Sequence, residues 1–174
     1  MKQILLLLIL VILSCKQQSY KNKTLDFEQV TYFHIQIEDQ DLFDMASQDR
    51  LTALQQFKVD VLLKTAPESL PDTLFIENLE ESGFTKNEIS REKLSRLKSL
   101  FSIENNQPNQ VKECINIYRD ILNFRTKDEI TGLAKICLEC EMIYVVNSNE
   151  KWSIQLSEYD MSRLEQLNVH KSIN

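Results

Sequence analysis

Glycine is nearly missing from this chain: Gly83 and Gly132 are the only two in 174 residues. A Walker-type phosphate loop, a dinucleotide-binding G-x-G-x-x-G and a G-x-S-x-G nucleophile elbow each need several glycines close together. None of the three can be built here. Proline is almost as scarce, with three residues and none after Pro108. Histidine is limited to His34 and His170. A Ser-His-Asp or Cys-His constellation needs a histidine beside a nucleophile, and no spacing singles out either residue for that work. Basic clusters are lacking too. The net charge is −6, and nucleic-acid binding rests on grouped Lys and Arg that neutralise phosphates, so no nucleic-acid partner is expected. There is no internal repeat and no long low-complexity segment.

What is present begins with MKQILLLLILVILSC. Lys2 supplies a positive n-region, and Ile4 to Leu13 is an unbroken apolar run of ten residues. A membrane-spanning helix needs about 20 such residues, whereas a signal-peptide h-region needs fewer. The run ends in Ile12-Leu13-Ser14-Cys15, which resembles the lipobox of bacterial lipoproteins. That resemblance implies a lipoprotein signal peptide over 1–14, lipidation at Cys15 and a membrane partner through the lipid anchor. Without the leader the 20 basic residues become 19, because Lys2 is lost, against 26 acidic ones, a net charge of −7. Residues 15–24 are polar and read as a flexible tether. Some Bacteroidetes surface lipoproteins carry acidic residues after the lipidated cysteine. Their absence from Lys16 to Lys23 points to the periplasmic face of the outer membrane.

About 150 residues remain from Leu25 onward, enough for a single domain with its own core. The expected class is α+β: an antiparallel β-meander with a preceding Leu-rich helix and a closing C-terminal helix. Thr31 to Ile37 alternates as a half-buried strand, with Phe33, Ile35 and Ile37 on one face. Leu42 to Gln56 has helical spacing. Phe57, Val59, Val61 and Leu63 alternate, so a strand could follow, with helix and strand competing here; Pro67 and Pro71 enclose a turn, and Leu74-Phe75-Ile76 reads as a short strand. Ser90 to Ser102 reads as a helix, capped by Ser90, with Ile89 and Leu94 at staple spacing. Glu104 to Gln110 is a polar break.

The C-terminal meander, about 111–169, consists of strands Asp120–Phe124, Ile130–Cys137, Met142–Val146 and Trp152–Leu156. Turns are expected at Thr126–Glu129 and Asn147–Lys151. Ser157-Glu158-Tyr159-Asp160 then resembles a capping box opening a helix that runs to about Val169.

Three cysteines lie in this last third: Cys114, Cys137 and Cys140. A thioredoxin-type C-x-x-C opens a helix, whose N-terminus lowers the thiol pKa. Cys137-Leu138-Glu139-Cys140 is instead followed by the strand-forming Met142-Ile143-Tyr144-Val145-Val146, and the cis-proline of that family has no candidate. Three readings stay open. A structural disulfide could join Cys114 to Cys137 or Cys140, closing roughly 25 residues and contributing about 3 kcal/mol, or could join Cys137 to Cys140. In a redox role, Cys137 would attack, Cys140 resolve and Cys114 act as third partner. In a metal site the three cysteines would be ligands, although a structural zinc wants four. His34 falls on the polar face of its strand as a solvent-facing residue. His170 lies near the terminus. Tyr118-Arg119-Asp120 reads as a charged pair making surface cross-strand contacts.

The segments Cys114-Ile115-Asn116-Ile117-Tyr118-Arg119-Asp120-Ile121-Leu122-Asn123-Phe124 and Lys135-Ile136-Cys137-Leu138-Glu139-Cys140 resemble a pattern in small Bacteroidetes secreted proteins and lipoproteins. The resemblance covers roughly Ile89 to Leu167. The pattern often has a proline shortly after its first cysteine, where this chain has Asn116 and Ile117. It implies that the three cysteines form one spatial unit, and it brings no activity with it. The expectation is a lipid-anchored, non-enzymatic envelope protein with a structural cysteine cluster and no cofactor, acting by binding an envelope protein partner or as an assembly accessory; an immunity or inhibitor lipoprotein with one cognate partner also fits the acidic surface. A thiol redox protein or a Cys-ligated metal-binding protein are the alternatives.

Overall fold

The computed structural model describes residues 25–101 and 114–166. The expected signal peptide, lipidation site Cys15 and tether, the polar break expected at Glu104–Gln110, His170 and the helix end expected near Val169 lie outside the described residues. An antiparallel six-stranded sheet organises the rest, in spatial order β2-β1-β3-β4-β5-β6. Its strands are β1 Gln29–His34, β2 Thr85–Glu88, β3 Asp120–Thr126, β4 Glu129–Cys137, β5 Met142–Asn147 and β6 Lys151–Gln155. The last four form the expected meander. The helices are α1 Asp39–Ala46, α2 Ala53–Leu63, α3 Thr73–Glu81, α4 Arg91–Leu100 and α5 Glu158–Gln166. The class is thus α+β, with helix α4 ahead of the meander and α5 closing it. No described helix is long and apolar enough to cross a membrane.

Helices cover both faces of the sheet. On one face, α4 and α5 bring Leu97, Leu100 and Leu164 against Val30, Tyr32, Leu122, Ala134, Ile143 and Val145. Phe124 is the centre of this side, with the Phe27 and Phe101 rings 4.7 and 4.9 Å from its own. Each such fully buried side chain is worth about 1.5–3 kcal/mol of transfer free energy. On the other face, α1, α2 and α3 bring Leu42, Val59, Val61, Leu62 and Leu79 against Phe33, Ile121 and Leu133. Gly132 sits where Leu25 crosses the sheet: a Cβ there would come 2.6 Å from Leu25 Cδ1, so the close approach needs a residue without one.

Three readings of the first half need correction. Leu42 to Gln56 is not one helix, because α1 ends at Ala46 and a new helix begins at Ala53. Phe57 to Leu63 is the body of that second helix, not a strand. Its start is fixed by a capping box: the Gln55 N–H donates to Thr52 Oγ1 (3.2 Å) and the Thr52 N–H to Gln55 Oε1 (2.9 Å). Buried Val59, Val61 and Leu62 cover a wide arc of the helix, so the apolar residues satisfy a period of two as well. Leu74-Phe75-Ile76 lies in α3, opened by Asp72, whose carboxylate accepts the Phe75 N–H at 2.8 Å. Ser90 occupies the N-cap of α4 but its hydroxyl makes no capping bond. Ile89 and Leu94 nonetheless pack on one core, as the staple spacing requires. Strand β2 has no apolar pattern to announce it: its four residues are all exposed, and it is an edge strand held by ladder bonds to β1.

Candidate functional site

One end of the sheet gathers the sequence-derived candidates. There β1 finishes at His34, β3 starts at Asp120, β4 finishes at Cys137 and β5 starts at Met142. Cys114 and Cys140 are joined in a disulfide with a Cα–Cα distance of 5.7 Å, inside the usual bridging range. The bond ties the segment before β3 to the β4–β5 turn. That turn closes through the Glu141 N–H to the Leu138 carbonyl (3.1 Å), with Glu141 in the left-handed region at φ +53°, uncommon for a residue other than glycine.

Cys137 keeps its thiol and is fully buried. It packs with Tyr118, Cys140, Tyr144 and Val146. Burial pushes its pKa up, backbone N–H groups of Cys140 and Ile117 aimed at the sulfur pull it partly back, and the neighbouring Glu139 carboxylate adds to the rise. Tyr118 is likewise pushed up, to about 12, by burial and then by Cys137 and Tyr144. A thiol of this kind is a poor nucleophile at neutral pH. With two of the three sulfurs bonded to each other, the described residues offer no group of three Cys, His, Asp or Glu able to hold a metal.

On the same sheet face, Lys135 is fully buried. Its Nζ donates to the Lys64 carbonyl (2.5 Å) at the end of α2 and to the Ala66 carbonyl (2.8 Å), and lies 4.4 Å from the centre of the Tyr118 ring. Burial lowers its pKa from 10.5 to about 7, with Asp60 opposing the fall. The sequence reading passed over this residue. Its signal is a lone Lys at a core-facing position of an interior strand, between Leu133 and Cys137.

The opposite face holds a second polar group. Asp120 is buried and accepts from the Tyr32 hydroxyl (2.5 Å) and from His34 Nδ1 (2.8 Å). Burial, with the Asp120 charge and hydrogen bond behind it, pushes the Tyr32 pKa up. His34 is therefore not solvent-facing, and Asp120 is not a surface residue. The reason is the position of β1: it pairs with β2 on one side and β3 on the other, and helices cover both of its faces. Arg119 does not pair with Asp120. Its guanidinium bonds Asp39, Glu139 Oε1 (3.1 Å) and the Ile37 carbonyl (3.2 Å).

Beside Arg119 a cleft of about 220 Å³ opens, lined by residues 34–38, Arg119, Asp120, Leu138 and Glu139. Ile35, Ile37 and Leu138 form its apolar part, and Glu38, Asp39 and Glu139 stand exposed around it. His34 with Asp120 behind it has the form of an oriented base. No Ser, Thr or Cys lines the cleft, so the lining offers no side-chain hydroxyl or thiol for that ring to activate. The exposed carboxylates of Glu38 and Glu139 can accept hydrogen bonds from, or pair with, a cationic group. No family model, curated protein or solved structure matches this chain.

Proposed function

We propose that the chain is a lipid-anchored cell-envelope protein, held through Cys15 on the periplasmic face of the outer membrane, that acts by binding an envelope protein partner and carries out no chemistry of its own. The lipobox-like Leu13-Ser14-Cys15 and the resemblance of the cysteine pattern to Bacteroidetes lipoproteins support the location. The observation that carries the binding reading is the Arg119 cleft, with an apolar floor, an acidic rim and no side-chain hydroxyl or thiol in its lining. The disulfide supports it by holding the turn that supplies Leu138 and Glu139 to the cleft wall. An acidic rim favours a partner presenting Lys or Arg and speeds its approach.

The test is a photo-cross-linking residue placed at Gln36, exposed at the cleft, in the full anchored chain in cells. A discrete protein adduct is expected, lost when Glu38 and Glu139 are both changed to Lys. An adduct pattern indistinguishable from that of a probe at Leu74, exposed on α3, would sink the reading.

Thiol redox chemistry through Cys137 and Cys140 is the second reading. It is favoured by one observation, a free thiol packed against a disulfide sulfur's residue. The burial of Cys137 and its raised pKa weigh against an exposed catalytic dithiol of the oxidoreductase kind.

A further inference from the structure

The three cysteines have a use that neither a static staple nor an oxidoreductase accounts for. We propose that Cys137 is the resting member of a disulfide-isomerisation switch: its sulfur displaces Cys114 from Cys140, converting the Cys114–Cys140 bond into a Cys137–Cys140 bond and freeing Cys114.

Four observations carry this. First, Cys137 and Cys140 lie three residues apart across the β4–β5 turn and share one packed cluster. Second, Cys137 and Cys140 are both buried, 0 and 2 % exposed, so the attacking sulfur and the residue it would attack share one water-excluded pocket. Third, a proton acceptor is in place: Glu139 Oε2 lies 3.7 Å from Cys137 Sγ, while Oε1 of the same carboxylate is held by Arg119 at 3.1 Å. Fourth, the two bonded sulfurs differ in environment. Cys140 is buried and Cys114 exposed. A leaving thiolate is stabilised by water at Cys114 and not at Cys140, and the better-stabilised thiolate leaves faster. This fixes the direction: attack falls on Cys140, and Cys114 leaves.

The step balances without any outside oxidant or reductant. The Cys137 proton passes to the Glu139 carboxylate. The Cys137 sulfur forms a bond to Cys140 Sγ as the Cys140–Cys114 bond breaks. Its electron pair leaves on Cys114 Sγ, which takes up a proton from water or from Glu139. One disulfide and one thiol are present before and after. The ionisable groups around the reacting thiol are Glu139 from the turn, Tyr118 from the segment ahead of β3 and Tyr144 from β5, with Lys135 from β4 seated against the Tyr118 ring. Burial makes the exchange slow at rest. Its product is a chain whose segment before β3 has lost its covalent tie to the turn that walls the cleft and keeps the Arg119–Glu139 pair.

The experiment follows the oxidised, detergent-extracted full chain at pH 8 with no thiol reagent present. Aliquots are quenched in acid, alkylated under denaturing conditions at low pH and mapped by peptide mass spectrometry, with Cys15 tracked separately. Cys137 should be the alkylated member of the three at the start. With time a Cys137–Cys140 peptide and alkylated Cys114 should accumulate together. Glu139→Gln should slow that accumulation several-fold, and Cys137→Ser should hold the Cys114–Cys140 bond unchanged. The wild-type time course decides the matter even where a variant folds poorly. Cys137 as the alkylated residue at every time, a Cys114–Cys137 product, or an unchanged rate in a folded Glu139→Gln chain would each overturn the proposal.

Discussion

The two faces of the sheet bury polar side chains by different means. Under α4 and α5, Asp120 is satisfied by other side chains, the Tyr32 hydroxyl and the His34 ring. Under α1, α2 and α3, Lys135 is satisfied by backbone, the carbonyls of Lys64 and Ala66. The first arrangement links two adjacent strands at the sheet end and borders the cleft. The second ties the middle of β4 to the end of α2 and the loop after it, where unpaired carbonyls and the helix dipole both favour a donor. A buried group held by side chains depends on each partner. A buried group held by carbonyls ties down the loop that supplies them, here Lys64 and Ala66. The two should therefore respond differently when cut.

The largest effect is expected at Asp120. Asp120→Ala takes from the Tyr32 hydroxyl and from His34 Nδ1 the acceptor they share in the buried network, and removing a buried acceptor from its donors costs about 1–3 kcal/mol for each group. Chemical denaturation should show that loss with an unchanged denaturant slope. A loss under about 1 kcal/mol would mean that water reaches the network from the cleft and replaces the carboxylate.

Lys135 sharpens the contrast through pH. Its folded pKa is lowered from 10.5 to about 7, so between these values the unfolded chain binds more protons than the folded one. Stability then rises with pH across that window: the contribution is fully present above 10.5 and is lost as pH falls towards 7. Cys137 and Tyr118, both pushed up, act in the opposite sense above about pH 9 and 10, where the folded state holds the extra proton. The clean window is therefore pH 7 to 9. Lys135→Met removes the rising slope there. At pH 7 it leaves two carbonyls without their donor, at a cost of about 1–3 kcal/mol, offset in part by the buried amine no longer being charged. Urea melts of both chains at pH 7 and 9 check slope and sign. A parallel pH response in the two chains would remove Lys135 from the account.

This contrast also marks how far the sequence could be read. The meander was legible because Asp120–Phe124, Ile130–Cys137, Met142–Val146 and Trp152–Leu156 are separated by polar turns, and each lies within an observed strand or runs at most one residue past its end. The helical layer over the other face was not. Phe57 to Leu63 is apolar on so much of its circumference that two periods fit, and only the Thr52–Gln55 box, three residues apart, decides between them. The candidate site was half legible. Cys114, Cys137 and Cys140 do meet, as the resemblance implied, but which two bond depends on a turn geometry that spacing cannot give. His34 was misplaced because a polar residue at an alternate strand position reads as outward-facing, and that holds only when one face of the sheet is bare. With helices on both faces the alternation loses its meaning, and the matching polar residues of adjacent strands, His34 opposite Asp120 with Tyr32 diagonal to it, become the signal.

The smallest expected effect separates the two helices that cover the Asp120 face. Both begin after a serine. Ser157 Oγ accepts the Asp160 N–H at 3.2 Å, and the Asp160 carboxylate returns to the Ser157 N–H at 3.2 Å and to its hydroxyl at 2.6 Å. This is a capping box with Asp in the position usually held by Glu. Ser90 makes no such bond. Ser157→Ala should therefore cost about 1 kcal/mol, and Ser90→Ala a few tenths at most. The difference matters to the core as well as to the helix, because α5 delivers Met161 and Leu164 to the same cluster that α4 fills with Leu97 and Leu100. If thermal melts give equal losses for the two substitutions, the α5 start is held by its apolar contacts alone, and the Ser157–Asp160 box has no energetic part in closing that face of the sheet.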